Sequence, residues 1–359
     1  MKKVLLFIIV LALGFLFWNI NQKTPKKTPT KEVSSTSTMR EQKEADALDQ
    51  SRILFVPYWT LGKEEVTSDV FDRLIYFGVA PNLEGIDKED VGYKKLSSFN
   101  KLADKRRDKY IVLRMLDSKT NFAILESKEV QEKIVLDVIK IAEDNSFSGV
   151  ILDLEISSLP FDSVISQIND FVKLASSEVK KEKLTFSIIM YGDTFYRVRP
   201  YDIKSITGFV DQMYVMTYDF HKSRGNPGPN FPYIGKNDYG YDFVTMVDDF
   251  SKIVAKDKLV FVFGLFGYDW IIDDKGRSMQ NGVPLSYNEI KQKFLDKCLL
   301  KDCVVKTSTI SAETNVVYQD DALQKHSVWF EDMDSVAKKK VYLNEKGISS
   351  LGFWAYSYF

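Results

Sequence analysis

The sequence predicts an α/β chain whose body is a closed (β/α)8 TIM barrel. Eight apolar runs rich in β-branched and aromatic residues follow one another along the chain, and stretches of helical periodicity lie between them. Strands that are apolar on both faces belong in a parallel sheet covered by helices, and eight of them can close with no edge left unpaired. No G-x-G-x-x-G turn follows the first run, which argues against an open nucleotide-binding sheet.

Met1-Lys2-Lys3 precedes an uncharged stretch from Val4 to Ile20. Its seventeen residues make about 25 Å of helix, slightly short of a ~30 Å hydrocarbon layer. The run ends Phe17-Trp18-Asn19-Ile20, with no small-x-small cleavage site. Residues 1–20 therefore read as a signal anchor in the membrane, or as a signal peptide if cleaved, and the protein as exported: held at the cell surface or secreted. Residues 21–50, with Pro25, Pro29 and several lysines, read as a polar linker.

The body spans 51–359. Its expected strands are Ile53 to Trp59, Arg73 to Ala80, Tyr110 to Met115, Gly149 to Ile156, Leu184 to Tyr191, Gln212 to Tyr218, Leu259 to Phe266 and Leu351 to Tyr356. Val130, Ile134, Val138 and Ile141 sit at helical spacing within Glu129 to Glu143, and further helices are expected at Ser163 to Val179, Phe243 to Ala255 and Met333 to Lys346. Residues 271–325 are too long for an ordinary loop and read as a small α+β insertion after strand seven, walling the mouth of the barrel. Cys298 and Cys303 fall inside it, either bonded or as two free thiols. No outer helix follows strand eight, and Met39 to Gln50 is expected to cover that gap.

Composition narrows the chemistry. Lys+Arg number 49 and Asp+Glu 50, so no basic field points to nucleic acid. Two cysteines and two histidines, His221 and His326, cannot build a Cys/His zinc cluster from separate pieces of chain. No metal or organic cofactor is expected, and the chain is read as a monomer.

Strand four carries the acids: Gly149-Val150-Ile151-Leu152-Asp153-Leu154-Glu155. Alternation puts Ile151, Asp153 and Glu155 on the inner face, the two carboxylates about 6–7 Å apart along the strand. They stand at its C-terminal end, where barrel active sites lie, and burying acids there is costly unless they are bonded or used. On strand six, Gln212, Tyr214, Met216 and Tyr218 share one face, followed by Asp219.

At these residues the chain resembles glycoside hydrolase family 18, the chitinase-like family. Gly149, Asp153 and Glu155 match its strand-four motif, and Met216-Thr217-Tyr218-Asp219 its strand-six motif. Asn226-Pro227-Gly228-Pro229 and His326-Ser327-Val328-Trp329-Phe330-Glu331-Asp332 resemble its spore-cortex and cell-wall hydrolases. The resemblance implies hydrolysis of N-acetylglucosamine polymers, peptidoglycan or chitin, by a substrate-assisted retaining mechanism. Glu155 would be the acid, with Asp153 and Tyr218 handling the substrate's acetamido group. Asp219, Met216, Tyr214, Gln212, Trp354 and Tyr58 would bind the sugar, aromatic rings suiting the C–H faces of a pyranose. The chain departs from the pattern at Ser148 and Ile151, each in place of a motif Asp, and Arg114-Met115-Leu116-Asp117 stands where the family has Ser-x-Gly-Gly. Ile151 motivates a competing reading as a glycan-binding protein without catalysis.

Overall fold

The computed structural model describes residues 53–62, 70–103 and 108–359. The expected signal anchor, linker and helix from Met39 to Gln50 lie outside them. Eight parallel strands close a barrel: β1 (Ile53–Pro57), β2 (Arg73–Val79), β3 (Asp108–Met115), β4 (Gly149–Leu154), β5 (Thr185–Tyr191), β6 (Met213–Met216), β7 (Leu259–Gly264) and, last in the chain, β13 (Leu351–Trp354). Neighbours follow chain order, and β13 closes the ring between β7 and β1.

Alternation sorts the strand side chains into two cores. Leu54, Val56, Leu152 and Leu154 point outward against the helices, while Phe55, Ile75, Val112, Ile151 and Val262 fill the interior. Outside β3 and β4 runs α1 (Lys128–Asp144), whose N-cap Ser127 accepts from the Val130 N–H and which buries Ile134, Val135, Val138 and Ile141. It packs beside α2 (Asp162–Lys181), whose buried stripe of Val164, Ile168, Phe171, Val172 and Val179 has the expected period. Gly149 sits where a Cβ would overlap Thr185 Oγ1 of β5, so close strand approach requires a glycine there.

The insertion is an antiparallel five-stranded sheet in the order β9-β8-β12-β11-β10. Its strands are β8 (Phe266–Ile272), β9 (Val283–Ser286), β10 (Lys301–Thr307), β11 (Thr314–Gln319) and β12 (Lys325–Phe330). The sheet begins at Phe266 and ends at Phe330, so bounds of 271 and 325 fall within it. Only Leu265 separates β7 from β8; its N–H donates to Trp354 O at 2.8 Å, and the chain then leaves the barrel to pair with β12. Cys298 and Cys303 are disulfide-bonded. Among the described residues no helix is long and apolar enough to cross a membrane.

Two strands end earlier than their composition suggests. β1 stops at Pro57 and Tyr58–Thr60 forms a 3-10 turn, while β6 covers only Met213–Met216.

Candidate active site

β4 delivers the acids at two depths. Ile151 is fully buried in the interior core, and Asp153, one pleat higher, is 3% exposed. Glu155 follows the last strand residue and is half-buried at the cleft. Its backbone is tied on every side: its N–H donates to Met115 O at 2.8 Å, and its C=O accepts from Asn121 Nδ2 at 2.8 Å. The Tyr201 hydroxyl donates to Leu154 O at 2.7 Å and accepts from the Ile156 N–H at 2.9 Å. A residue beyond the strand is thereby held as firmly as one inside it.

Above the carboxylates opens a cavity of about 970 Å³, at the upper end of the usual range for ligand clefts. Trp354 at the end of β13 forms its aromatic floor, edge-on to Phe77 at 4.9 Å and 5.9–6.0 Å from Phe55, Trp59 and Tyr218. The insertion supplies the far wall through Tyr268, Leu285, Asn288 and Gln292.

The electrostatics follow from depth. Burial raises the Asp153 carboxyl well above the ordinary carboxylate range, the charge of Glu155 raises it further, and Arg114 opposes both. Burial, and then Asp153, push the Tyr218 phenol up, so it is a neutral donor. The Asp219 carboxyl is raised by burial, against a 2.8 Å hydrogen bond from the Tyr268 hydroxyl and the charge of Lys222. Asp219 has φ of 60°, and its N–H donates to Asn230 Oδ1 at 2.8 Å. Its turn is thus fixed from the adjoining loop.

Of the residues expected at the site, Glu155, Asp153, Tyr218, Asp219, Met216 and Trp354 line this cavity together. Gln212 and Tyr214 do not. They lie at the other end of the barrel interior, where Arg73 Nη1 donates to Gln212 Oε1 at 2.5 Å and to the Tyr214 hydroxyl at 2.9 Å, and Arg73 Nε to Asp108 at 2.7 Å. Alternation gave their face correctly, but they stand too early on the strand to reach the cleft. Tyr58 is also displaced: the 3-10 turn sets its ring under the Arg114 guanidinium, 4.9 Å from the centroid, and Trp59 takes the cleft position. Arg114, in the segment that departs from the family's Ser-x-Gly-Gly, pairs with Asp90 at 2.8 Å.

Tyr191, Asp193, Lys222 and Tyr268 line the cleft without having been singled out from the sequence. Tyr191 ends β5 level with the acids, and strand register is the signal that finds it. Asp193 is buried between Arg197 at 2.9 Å and Arg199 at 2.8 Å. Among the described residues no group of three or more His, Cys, Asp or Glu is arranged to hold a metal ion.

The Asn-Pro-Gly-Pro loop and the β12 segment meet at a buried ion cluster. Glu313 accepts from the N–H groups of Asn230 and Phe231 at 2.5 and 2.7 Å, and Lys339 bridges Glu313 at 3.0 Å and Glu331 at 2.7 Å with no exposed side-chain surface. The site as a whole offers a half-buried carboxyl at an aromatic floor, a deeper carboxyl that keeps its proton readily, and a phenol donor beside them. These are the elements of acid–base chemistry on a ring with apolar faces.

The fold is shared with proteins of known structure. The chain is 22% identical over 236 residues to a Bacillus subtilis (strain 168) protein named "Putative sporulation-specific glycosylase YdhD", covering 64% of this chain and 52% of that protein. The match thus spans about half of that relative's length. The spore cortex-lytic enzyme SleL of Bacillus cereus superposes with a TM-score of 0.68 at 17% identity, over 86% of this chain and 71% of SleL. The Group IV chitinase of Ostrinia furnacalis, solved with allosamidin, gives a TM-score of 0.71 at 15% identity over 86% of this chain and 92% of the chitinase. The model of the family described as "Glycosyl hydrolases family 18" matches residues 31–358, and with its barrel and strand-four acids the chain belongs to that family.

Proposed function

We propose that the protein hydrolyses β-1,4 glycosidic bonds of N-acetylglucosamine-containing polymers, with peptidoglycan as the preferred substrate and chitin the alternative. The observation that carries this reading is the stacking of Glu155, Asp153 and Tyr218 in depth below one cleft floored by Trp354. Glu155 donates a proton to the glycosidic oxygen while the substrate's 2-acetamido oxygen attacks C1, breaking the C1–O bond and forming an oxazolinium ion. In its ionised form Asp153 accepts a hydrogen bond from the acetamido N–H and offsets the positive charge, Tyr218 donates to the acetamido group, and Asp219 bonds a sugar hydroxyl. Water then attacks C1 and breaks its bond to the acetamido oxygen while giving a proton to Glu155 as base, which restores the acid and the acetamido group and retains the configuration. Peptidoglycan is favoured by the two cell-wall-like segments and by the likeness to YdhD, named as a putative sporulation-specific glycosylase, and to the spore cortex-lytic enzyme SleL. Lys222, the one basic side chain among the described residues along the cavity, suits the lactyl carboxylate of N-acetylmuramic acid. The uncharged N-terminal stretch from Val4 to Ile20 suits a protein tethered outside the cell.

Ile151 favours a second reading, a glycan-binding protein that does not cut, because it gives Asp153 no hydrogen-bonding neighbour on its own strand. The full-length protein and Glu155→Gln, each incubated with peptidoglycan and a chromogenic chitobioside, separate the two. Release of reducing ends that disappears in Glu155→Gln supports the hydrolase, and muropeptide ends identify the bond cut. Binding without release across pH 4–8 leaves only the second reading.

A further inference from the structure

Tyr191 is the last residue of β5. The β4–β5 ladder ends with Leu152 paired to Ile188, and the same register continued past that end carries Glu155 towards Tyr191. Both side chains line the cleft, and the Glu155 carboxyl, as charge and as hydrogen-bond acceptor, raises the Tyr191 phenol. The ring is pinned in turn. The Arg199 guanidinium lies 3.6 Å from its centroid, a cation–π contact, and Arg199 is held by Asp193 through Nε at 2.9 Å and Nη2 at 2.8 Å. The Tyr201 ring, whose hydroxyl clamps the backbone on both sides of Glu155, tilts against it at 6.5 Å. Burial and the neighbouring carboxylate push the phenol up, so it retains its proton and acts as a donor. β4 has no polar side chain at the inward position below Asp153, since Ile151 is apolar and fully buried.

We propose that Tyr191 is a positioning residue, which holds the Glu155 carboxyl facing the glycosidic oxygen and stabilises the carboxylate left when its proton passes to the leaving sugar. The supporting ring comes from the neighbouring strand. The chain Asp193–Arg199–Tyr191–Glu155 is a supporting shell of the kind that fixes a reacting group to within a fraction of an ångström. This role rests on the hydrolase reading.

The test is Tyr191→Phe in the full chain, assayed on two chitobiosides that differ in leaving group. One carries a further N-acetylglucosamine and needs protonation to depart; the other carries 2,4-dinitrophenolate and needs almost none. With the sugar leaving group, kcat is expected to fall about 10- to 100-fold with KM within about twofold, a fraction of what a general acid supplies; with dinitrophenolate the loss stays below about threefold. Arg199→Gln leaves the phenol but unpins it, and is expected to give a smaller loss with the same dependence on leaving group. It also decides the matter if Tyr191→Phe fails to fold, which thermal unfolding reports. Equal losses on both substrates, no loss on either, or an effect confined to KM overturns the role. A wild type that releases neither leaving group removes the hydrolase reading and this role with it, whereas an active wild type matched by Tyr191→Phe removes the role alone.

Discussion

Replacing Lys339 by methionine tests whether the buried ion cluster holds the cleft together. Lys339 and both of its carboxylate partners have no exposed side-chain surface. Its ammonium donates to Glu331 at 2.7 and 2.8 Å, to Glu313 at 3.0 Å and to the Phe231 carbonyl at 2.6 Å. Removing one partner of such a cluster leaves uncompensated buried charge, which costs about 3–5 kcal/mol. For a domain of this size that lowers Tm by roughly 6–10 °C. Burial pushes the Glu331 carboxyl up to about 8 even with Lys339 opposing the rise. A carboxyl raised in the fold stabilises most when protonated, below its unfolded value near 4.3, and loses that contribution as pH rises through its folded value. The Lys339→Met deficit should therefore be smallest near pH 4–5 and largest above pH 8. The triple variant Lys339→Met, Glu313→Gln, Glu331→Gln, which carries no charge, should recover more than half of it. Thermal unfolding of the full-length protein between pH 4 and 9 measures both effects. A single variant within 2 °C of wild type at pH 8, or a triple variant no better than the single, would refute the reasoning.

Two further outcomes follow from the cleft. Asp153→Asn should abolish turnover yet raise stability: the folded-state value of this carboxyl is raised, so ionising it costs stability as pH climbs above the unfolded value near 3.9. The variant's advantage in Tm should be absent below about pH 4 and grow towards neutrality, and a pH-independent difference would contradict it. Trp354→Ala removes the ring that meets Phe77, Phe55, Trp59 and Tyr218. A raised KM for chitooligosaccharides, by about 10-fold or 1.4 kcal/mol, is expected for one lost aromatic platform, and an unchanged KM would show that the sugar rests elsewhere.

The barrel was legible in the sequence because parallel strands are apolar on both faces, a pattern that needs no knowledge of contacts. The insertion's presence was legible from length, but its first strand was not: residues 259–272 form one nearly unbroken apolar run, and the change of sheet at Leu265 leaves no polar break. Within the site, alternation identifies a strand's inner face but not the height at which a residue stands. Met216 and Tyr218 reach the cleft while Gln212 and Tyr214, on the same face, serve Arg73 below. Tyr58 was misplaced for a related reason, since the turn after Pro57 ends the alternation on which its position depended. Tyr191 reads locally as an ordinary strand tyrosine and acquires meaning only from the β4–β5 register.

Height also accounts for the different parts taken by two carboxyls on one strand. Asp153 is inside β4, above Ile151, where burial and the charge of its neighbour both favour its neutral form. Glu155, two residues on, has left the sheet, and its position depends on what other segments supply. Asn121 holds its carbonyl, Tyr201 holds the backbone on either side, and the Tyr191 phenol neighbours its carboxyl in the cleft. An acid that donates and recovers a proton in each cycle needs contact with substrate and water together with a fixed direction, two requirements that conflict for a side chain on a free strand end. Fixing the end residue from neighbouring strands and their loops meets both, leaving the carboxyl open to the cleft while its backbone is immobilised. The deeper acid needs none of this support, because the strand ladder itself sets its direction and burial keeps water away.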